Sequence, residues 1–236
     1  MPYPRTNVSQ AHPSDGRRRR SCWLALGLAS LIGSAAGCVR EPLPELCPKV
    51  AEGELVISEL RSNTDSFGDY IELYNASSRT VDLEGLRVRL RGSGGDELEF
   101  FVRGASELEI EPGGYFVIGP GLPDDPEVWI DYSIGWDISG GDPNENEAPR
   151  ELFKSDFSAA FVELEACGEL IDQVFYDHDE LPGVGTLACG NADNPPSATT
   201  NDTASSGCWC VDDLPDDQGL LGIGLPGSPG EPNRCP

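Results

Sequence analysis

Histidine is almost missing from this chain, with two in 236 residues. His12 lies in the N-terminal segment, so a Ser-His-Asp or Cys-His mechanism would rest on His178 alone. That residue sits in the run Asp177-His178-Asp179-Glu180, which reads as a solvated loop. No G-x-S-x-G nucleophile turn and no G-x-x-x-x-G-K phosphate loop occurs. Basic side chains are also scarce, 16 against 41 acidic ones for a formal charge of −25. A phosphate backbone or an anionic bilayer surface would be repelled, which excludes nucleic acid as a partner. Room for long helices is lacking too, because 28 glycines and 20 prolines break the chain into short elements joined by turns.

One long apolar run is present, at the N-terminus. Four arginines, Arg17 to Arg20, precede SCWLALGLASLIGSAAGC, which is a basic region, an apolar stretch and a small-residue exit. This is the pattern of a secretory signal. Ala35-Ala36-Gly37-Cys38 resembles the bacterial lipobox, so residues 1–37 read as a lipoprotein signal peptide and Cys38 as the lipidated residue. The alternatives are ordinary cleavage near Gly37 and an uncleaved anchor. From Cys38 onward the chain keeps 11 basic and 40 acidic residues, a net of −29. Val39 stands where inner-membrane lipoproteins of Gram-negative cells carry aspartate, so the expected destination is the outer membrane or cell surface. A secreted or periplasmic form is the alternative.

Beyond Cys22 in the signal and Cys38, six cysteines remain: Cys47, Cys167, Cys189, Cys208, Cys210 and Cys235. An even set in an exported chain reads as three disulfides with fifteen possible pairings. Cys208-Trp209-Cys210 has one intervening residue, short of the spacing of zinc knuckles, and no second close pair accompanies it. Cysteines so close seldom bond to each other, so each is expected to reach a different partner, with Cys210 to Cys235 the first choice.

Residues 38–51 hold three prolines and no alternation, which suits an extended tether. ELVISEL (54–60), DYIELYN (69–75), GLRVRLRG (85–92), ELEFFV (97–102), ELEIEPGGYFVIG (107–119) and AAFVELE (159–165) are short β-type runs between turn clusters. Their period is two. Leu86, Val88 and Leu90 fall on one face while Arg87, Arg89 and Arg91 fall on the other. Half-buried strands need a second sheet over the apolar face, so the fold class is all-β, an antiparallel β-sandwich. Residues 179–236 hold four of the six cysteines, with many Gly, Pro, Asn and Asp. They read as a disulfide-stapled, loop-rich C-terminal extension that folds over one end of the sandwich.

These runs resemble, in order, the motifs of the lamin-tail domain. Leu55-Val56-Ile57-Ser58-Glu59-Leu60 is similar to its opening strand, and Asp69-Tyr70-Ile71-Glu72-Leu73-Tyr74-Asn75 to its "EWIELyN" signature. Val81-Asp82-Leu83-Glu84-Gly85-Leu86 resembles the following turn and strand, and Ile110 to Val117 its "l.pGgyfv" step. The resemblance covers roughly residues 52–178. Leu225 to Asn233 looks like the "TPGapN" ending common after bacterial domains of this kind. The resemblance implies an immunoglobulin-like sandwich, marks Glu59, Glu72, Asn75 and Gly85 as motif residues, and implies a role in protein contact.

As a functional pair Glu59 and Glu72 could bind a cation or act as acid and base; the structural reading is that they satisfy backbone donors and fix loops. Calcium is the one cofactor the loops suggest. Asp142, Asn144 and Asn146 begin a run like an EF-hand loop, although Glu147 stands in place of its Gly and Phe153 in place of its bidentate Glu. Other acidic clusters are Asp124-Asp125, Asp212-Asp213 and Asp216-Asp217. Trp129 and Trp136 flank an acidic loop and could stack on sugar, with core anchoring as the alternative. The expectation is a non-catalytic cell-envelope lipoprotein, membrane-bound through its lipid, presenting the domain to a protein or surface polymer. A calcium- or carbohydrate-dependent adhesion module is the alternative, and a hydrolase using acidic residues the second alternative.

Overall fold

Alternating side chains build the long strands, because a pleated backbone sends successive residues to opposite faces. A computed structural model describes residues 46–62, 69–92, 94–95, 97–104, 108–119, 129–134, 159–177, 181–215 and 226–236. The chain divides into units 1–42 and 43–236, and every described residue lies in the second. The strands are β1 (Leu55–Arg61), β2 (Tyr70–Asn75), β3 (Val81–Asp82), β4 (Arg87–Gly92), β5 (Glu97–Phe101) and β6 (Glu109–Ile110). There follow β7 (Tyr115–Gly119), β8 (Tyr132–Ser133), β9 (Ala159–Ala166), β10 (Glu169–Asp177), β11 (Thr186–Cys189) and β12 (Trp209–Asp212). No helix among the described residues is long and apolar enough to cross a membrane.

Two sheets face each other, one six-stranded in the order β12-β11-β1-β2-β7-β8, the other four-stranded in the order β10-β9-β4-β5. All pairings are antiparallel except β7 with β8. A short β3-β6 ribbon joins them. Leu55, Ile57, Leu60, Ile71 and Leu73 from the first sheet meet Val88, Leu90, Phe100, Val162, Leu164 and Val174 from the second, all fully or almost fully buried. This is the all-β sandwich that the two-residue period predicts.

The run at 107–119 is not one strand. It breaks into β6 and β7 at the turn where Gly114 N–H donates to Glu111 O at 2.9 Å. β10 escaped the pattern because its register slips between Leu170 and Asp172 and an acid takes an inward position. Between β9 and β10, Cys167 and Gly168 both hold positive φ, 52° and 81°, the geometry of a tight two-residue hairpin.

The extension beyond 178 departs furthest from expectation. It does not merely fold over one end. β11 pairs with β1 and β12 with β11, so the extension widens the principal sheet by two strands. Few β-branched residues mark them, but four consecutive buried positions in β11 give the segment a packing role that local propensity does not report. The end of the expected tether is also part of the fold. Cys47 is bonded to Cys167, Pro48 is buried, and Val50 packs against the core. Gly85, at φ +91°, lies so close to the Leu46 carbonyl that no Cβ could fit there.

Three disulfides are formed: Cys47–Cys167, Cys189–Cys208 and Cys210–Cys235, with sequence separations of 120, 19 and 25. The first ties the residues before β1 to the β9–β10 turn and closes the longest loop, so it removes the most entropy from the unfolded chain. Replacing both Cys47 and Cys167 by Ser should lower unfolding stability by about 2–4 kcal/mol in denaturant titrations under oxidising conditions, with the other two disulfides intact by mass.

Candidate functional site

The site grows from one irregularity in β1. Ile57 pairs with Leu73 and Glu59 with Glu72, which leaves Ser58 as an extra residue. The bulge reverses the facing of the strand, so that Leu60 stays in the core while Glu59 reaches the outer face beside Glu72. β11 pairs with β1 only from Glu59 onward, so the backbone of Ile57 and Ser58 needs other partners. Asp172 of β10 accepts the Ile57 N–H at 2.7 Å. Asn201 donates through Nδ2 to Ile57 O at 3.1 Å and to Asp172 Oδ2 at 2.7 Å. Asn233 donates to Ser58 O at 3.0 Å and to Cys189 O at 2.9 Å, bridging the two strands where their ladder opens.

Over the outer face of β1 and β2 lies a strap formed by residues 226–236. Glu59 accepts from Tyr70 Oη at 2.6 Å and lies 2.9 Å from Ser228 Oγ. Glu72 accepts from Ser58 Oγ at 2.8 Å and from the Gly230 N–H at 2.7 Å. Arg234 grips Asp212 at the end of β12 with Nε at 2.7 Å and Nη2 at 2.9 Å, a two-pronged charge-assisted contact. Arg61 donates to Gly185 O at 3.0 Å and to Pro226 O at 2.7 Å. Gly227, at φ +117°, passes so near Thr186 and Tyr70 that a Cβ would stand 2.8 Å from Thr186 Cγ2.

Glu59 and Glu72 are directly opposed like groups with no exposure to solvent. Burial first pushes both carboxyls up, Glu59 to about 7 against the pull of Tyr70 and Ser228 and with the charge of Asp212 adding to it, and Glu72 well above the usual range with the charge of Glu59 adding to it. Burial and the two carboxylates also raise the Tyr70 phenol, which therefore remains a donor. Asp172 is raised to about 7, mainly by burial, against the pull of the Ile57 N–H and Asn201.

The motif residues take defined places. Asn75 donates to Arg79 O and Ile110 O, both at 2.8 Å, and accepts from Ser77, which clamps the turn after β2 to β6. Glu72 holds a backbone donor of the strap and Glu59 its serine, so the pair fixes the chain's own segment. Asp212 sits at a strand end, buried and paired, and is not part of an open acidic loop. Trp129 packs with Tyr70, Val117 and Ile130, and Trp209 donates to Asn201 O at 2.9 Å. Cys38, Trp136, Asp142, Asn144, Asn146 and His178 lie outside the described residues, as do Asp124-Asp125 and Asp216-Asp217. Among the described residues no group of three or more His, Cys, Asp or Glu is arranged to hold a metal ion.

The outer face of the four-stranded sheet differs in kind. Arg87, Arg89 and Arg91 of β4 lie between Glu97 and Glu99 of β5 and Glu163 and Glu165 of β9. Arg89 reaches Glu97 at 2.7 Å and Glu165 at 3.1 Å, and Arg87 reaches Glu165 at 2.8 Å and also contacts Glu99. At the margins Phe101, Leu170 and Phe175 remain 37%, 39% and 46% exposed.

With this geometry in view, comparison with known families gives one result. The family model described as Lamin Tail Domain matches residues 48–178, more than half of the chain, and the chain belongs to that family. A search of curated proteins returned no match. The matched span holds Glu59, Glu72, Asn75, Gly85 and Asp172, whereas Asn201, Asp212, Ser228, Asn233 and Arg234 come from beyond it.

Asp172 provides a test of this arrangement. Replacement by Ala should cost about 1–3 kcal/mol, because it orphans the buried Ile57 N–H. Replacement by Asn keeps an acceptor and removes the titration. Since the folded Asp172 pKa is raised, its contribution is full below the unfolded value and is lost as pH rises through about 7. Wild-type stability should therefore fall more than that of Asp172→Asn between about pH 4 and about pH 7, read by thermal unfolding across a pH series.

Proposed function

We propose that this chain is an exported, non-catalytic interaction module, lipid-anchored through Cys38 and presenting its lamin tail domain at the cell envelope. One observation carries the non-catalytic reading: the carboxyls with raised pKa, the groups acid-base chemistry would need, are spent on holding the chain's own backbone and strap. Three disulfides support an oxidising, extracytoplasmic compartment. The lipobox-like segment ending at Cys38 supports the anchor, and Val39 supports outer-membrane or surface placement in a Gram-negative cell.

The contact surface of this reading is the outer face of the four-stranded sheet, and its partner is another protein. The mature chain is strongly anionic, yet this face sets Arg87, Arg89 and Arg91 against four glutamates, with Arg103 over the Phe101 ring beside them. Charge balance there lets a protein approach without long-range repulsion. Exposed Phe101, Leu170 and Phe175 supply the apolar contact that such interfaces use.

Two measurements test the proposal. Wild-type protein should take up a labelled fatty acid and sediment with membranes, and Cys38→Ala should do neither; a soluble, unlabelled wild type overturns the anchor. A photo-crosslinker placed at Phe175 in cells should capture a protein that the same crosslinker at the exposed Glu52 does not. Identical products, or none from Phe175, would rule out this face.

A further inference from the structure

Ser228 is short of hydrogens. Its Oγ lies 2.9 Å from Glu59 Oε1, 3.1 Å from Asn233 Oδ1 and 3.4 Å from Asp212 Oδ2. All three are acceptors, and a hydroxyl carries one hydrogen. The orientation of Asn233 is set, since its Nδ2 must face the Ser58 and Cys189 carbonyls. Asp212 is satisfied by the two prongs of Arg234. Glu59 and Asn233 are left to share a single proton from Ser228, in a place water does not reach: Ser228 is 5% exposed, Asn233 2% and Glu59 0%.

We propose that a proton held on Glu59 donates to Ser228, frees the Ser228 hydroxyl for Asn233, and so fastens the C-terminal strap to the sheet as a pH-sensitive latch. The count then closes: Glu59 gives one hydrogen to Ser228 Oγ, and Ser228 gives its own to Asn233 Oδ1. Loss of the proton leaves two acceptors on one hydrogen and puts a bare carboxylate where no water reaches it, directly opposite Glu72 on the neighbouring strand. The part of the strap that yields is the stretch around Ser228 and Gly230, while Arg61 on Pro226 O, Arg234 on Asp212 and Asn233 on the Ser58 and Cys189 carbonyls hold it on either side. Its far end stays bound through Cys210–Cys235, so the opening is local.

The surrounding charges do not remove the need for the proton. From β2 come Tyr70 and Glu72, and from β1 Arg61, which directs Nη1 at the carbonyls of Gly185 and Pro226. β7 brings Tyr115, the segment after it Asp131, and β12 Asp212, with Arg234 of the strap bound to Asp212. β11 contributes no titratable side chain. Burial raises Glu59, so the latch is fully closed below the ordinary carboxyl range and loosens as pH climbs through the raised value. Acid tightens it.

Amide hydrogen exchange on the oxidised full chain tests this, with rates divided by those of an unstructured peptide at the same pH. The opening constant at Gly230 and Glu231 should rise on the order of tenfold or more between about pH 5 and about pH 8, measured in an Asp172→Asn background, where core amides such as Val88 do not follow the Asp172 titration. Glu59→Gln should abolish that rise, because its Oε1 accepts from Tyr70 and its Nε2 permanently donates to Ser228. A strap with constant protection in that background, or a Glu59→Gln strap that follows it, overturns the proposal. Should Glu59→Gln fail to fold, a carbon-13 titration of the wild-type Glu59 carboxyl decides alone. A midpoint in the ordinary carboxyl range refutes the latch and one near neutrality supports it.

Discussion

The outer half of this molecule depends on the extra residue at Ser58. A strand that carried Ile57 and Glu59 in strict alternation would aim both at the core. The bulge lets an aliphatic face and an acidic face coexist on one strand. It also opens the ladder to β11, and the freed backbone groups must be met from elsewhere. Asp172, Asn201 and Asn233 meet them, each from a different part of the chain. The long-range polar contacts around β1 thus follow from a single backbone requirement.

Much of the fold was legible in advance. Strands such as 85–92, where Leu86, Val88 and Leu90 alternate with arginines, declare themselves because one face is dry and the other wet. β11 has four buried positions in a row and no such contrast, so its sequence could not be told from a loop. β10 was hidden by its own bulge and by Asp172 pointing inward. The site was half legible. Glu59 and Glu72 were marked by resemblance, and Leu225 to Asn233 was visible as an ending motif. That the two act together depends on a contact between residues 169 positions apart, which no local pattern encodes. Asp212 illustrates the converse: adjacent acids suggest solvation, and only the tertiary position of Arg234 shows one of them to be a buried anchor.

The two sheets handle charge in opposite ways. On the four-stranded sheet, arginines interleave with glutamates across neighbouring strands, so that even the buried Arg89 meets opposite charges, while the more exposed pairs, such as Arg87 with Glu99, are screened by water and add little to stability. On the six-stranded sheet two like carboxyls meet with no water, and one arginine of the strap is already bound to Asp212. Protonation is then the cheaper response than a buried bare charge. A family scaffold thus supplies one face suited to contact and another that closes on its own tail. Residues 179–236, beyond the family match, supply that closure.

The spacing of the first disulfide sets a timetable. Cys47 leads the folded unit, and its partner Cys167 follows 120 residues later. Synthesis from the N-terminus brings Cys47 out long before the β9–β10 turn that carries its partner. Cys189 and Cys208 then close over 19 residues, and Cys210 waits for Cys235. Correct pairing therefore requires the first thiol to remain unclaimed while most of the domain is made, which makes the oxidation of this protein a problem of order as much as of affinity.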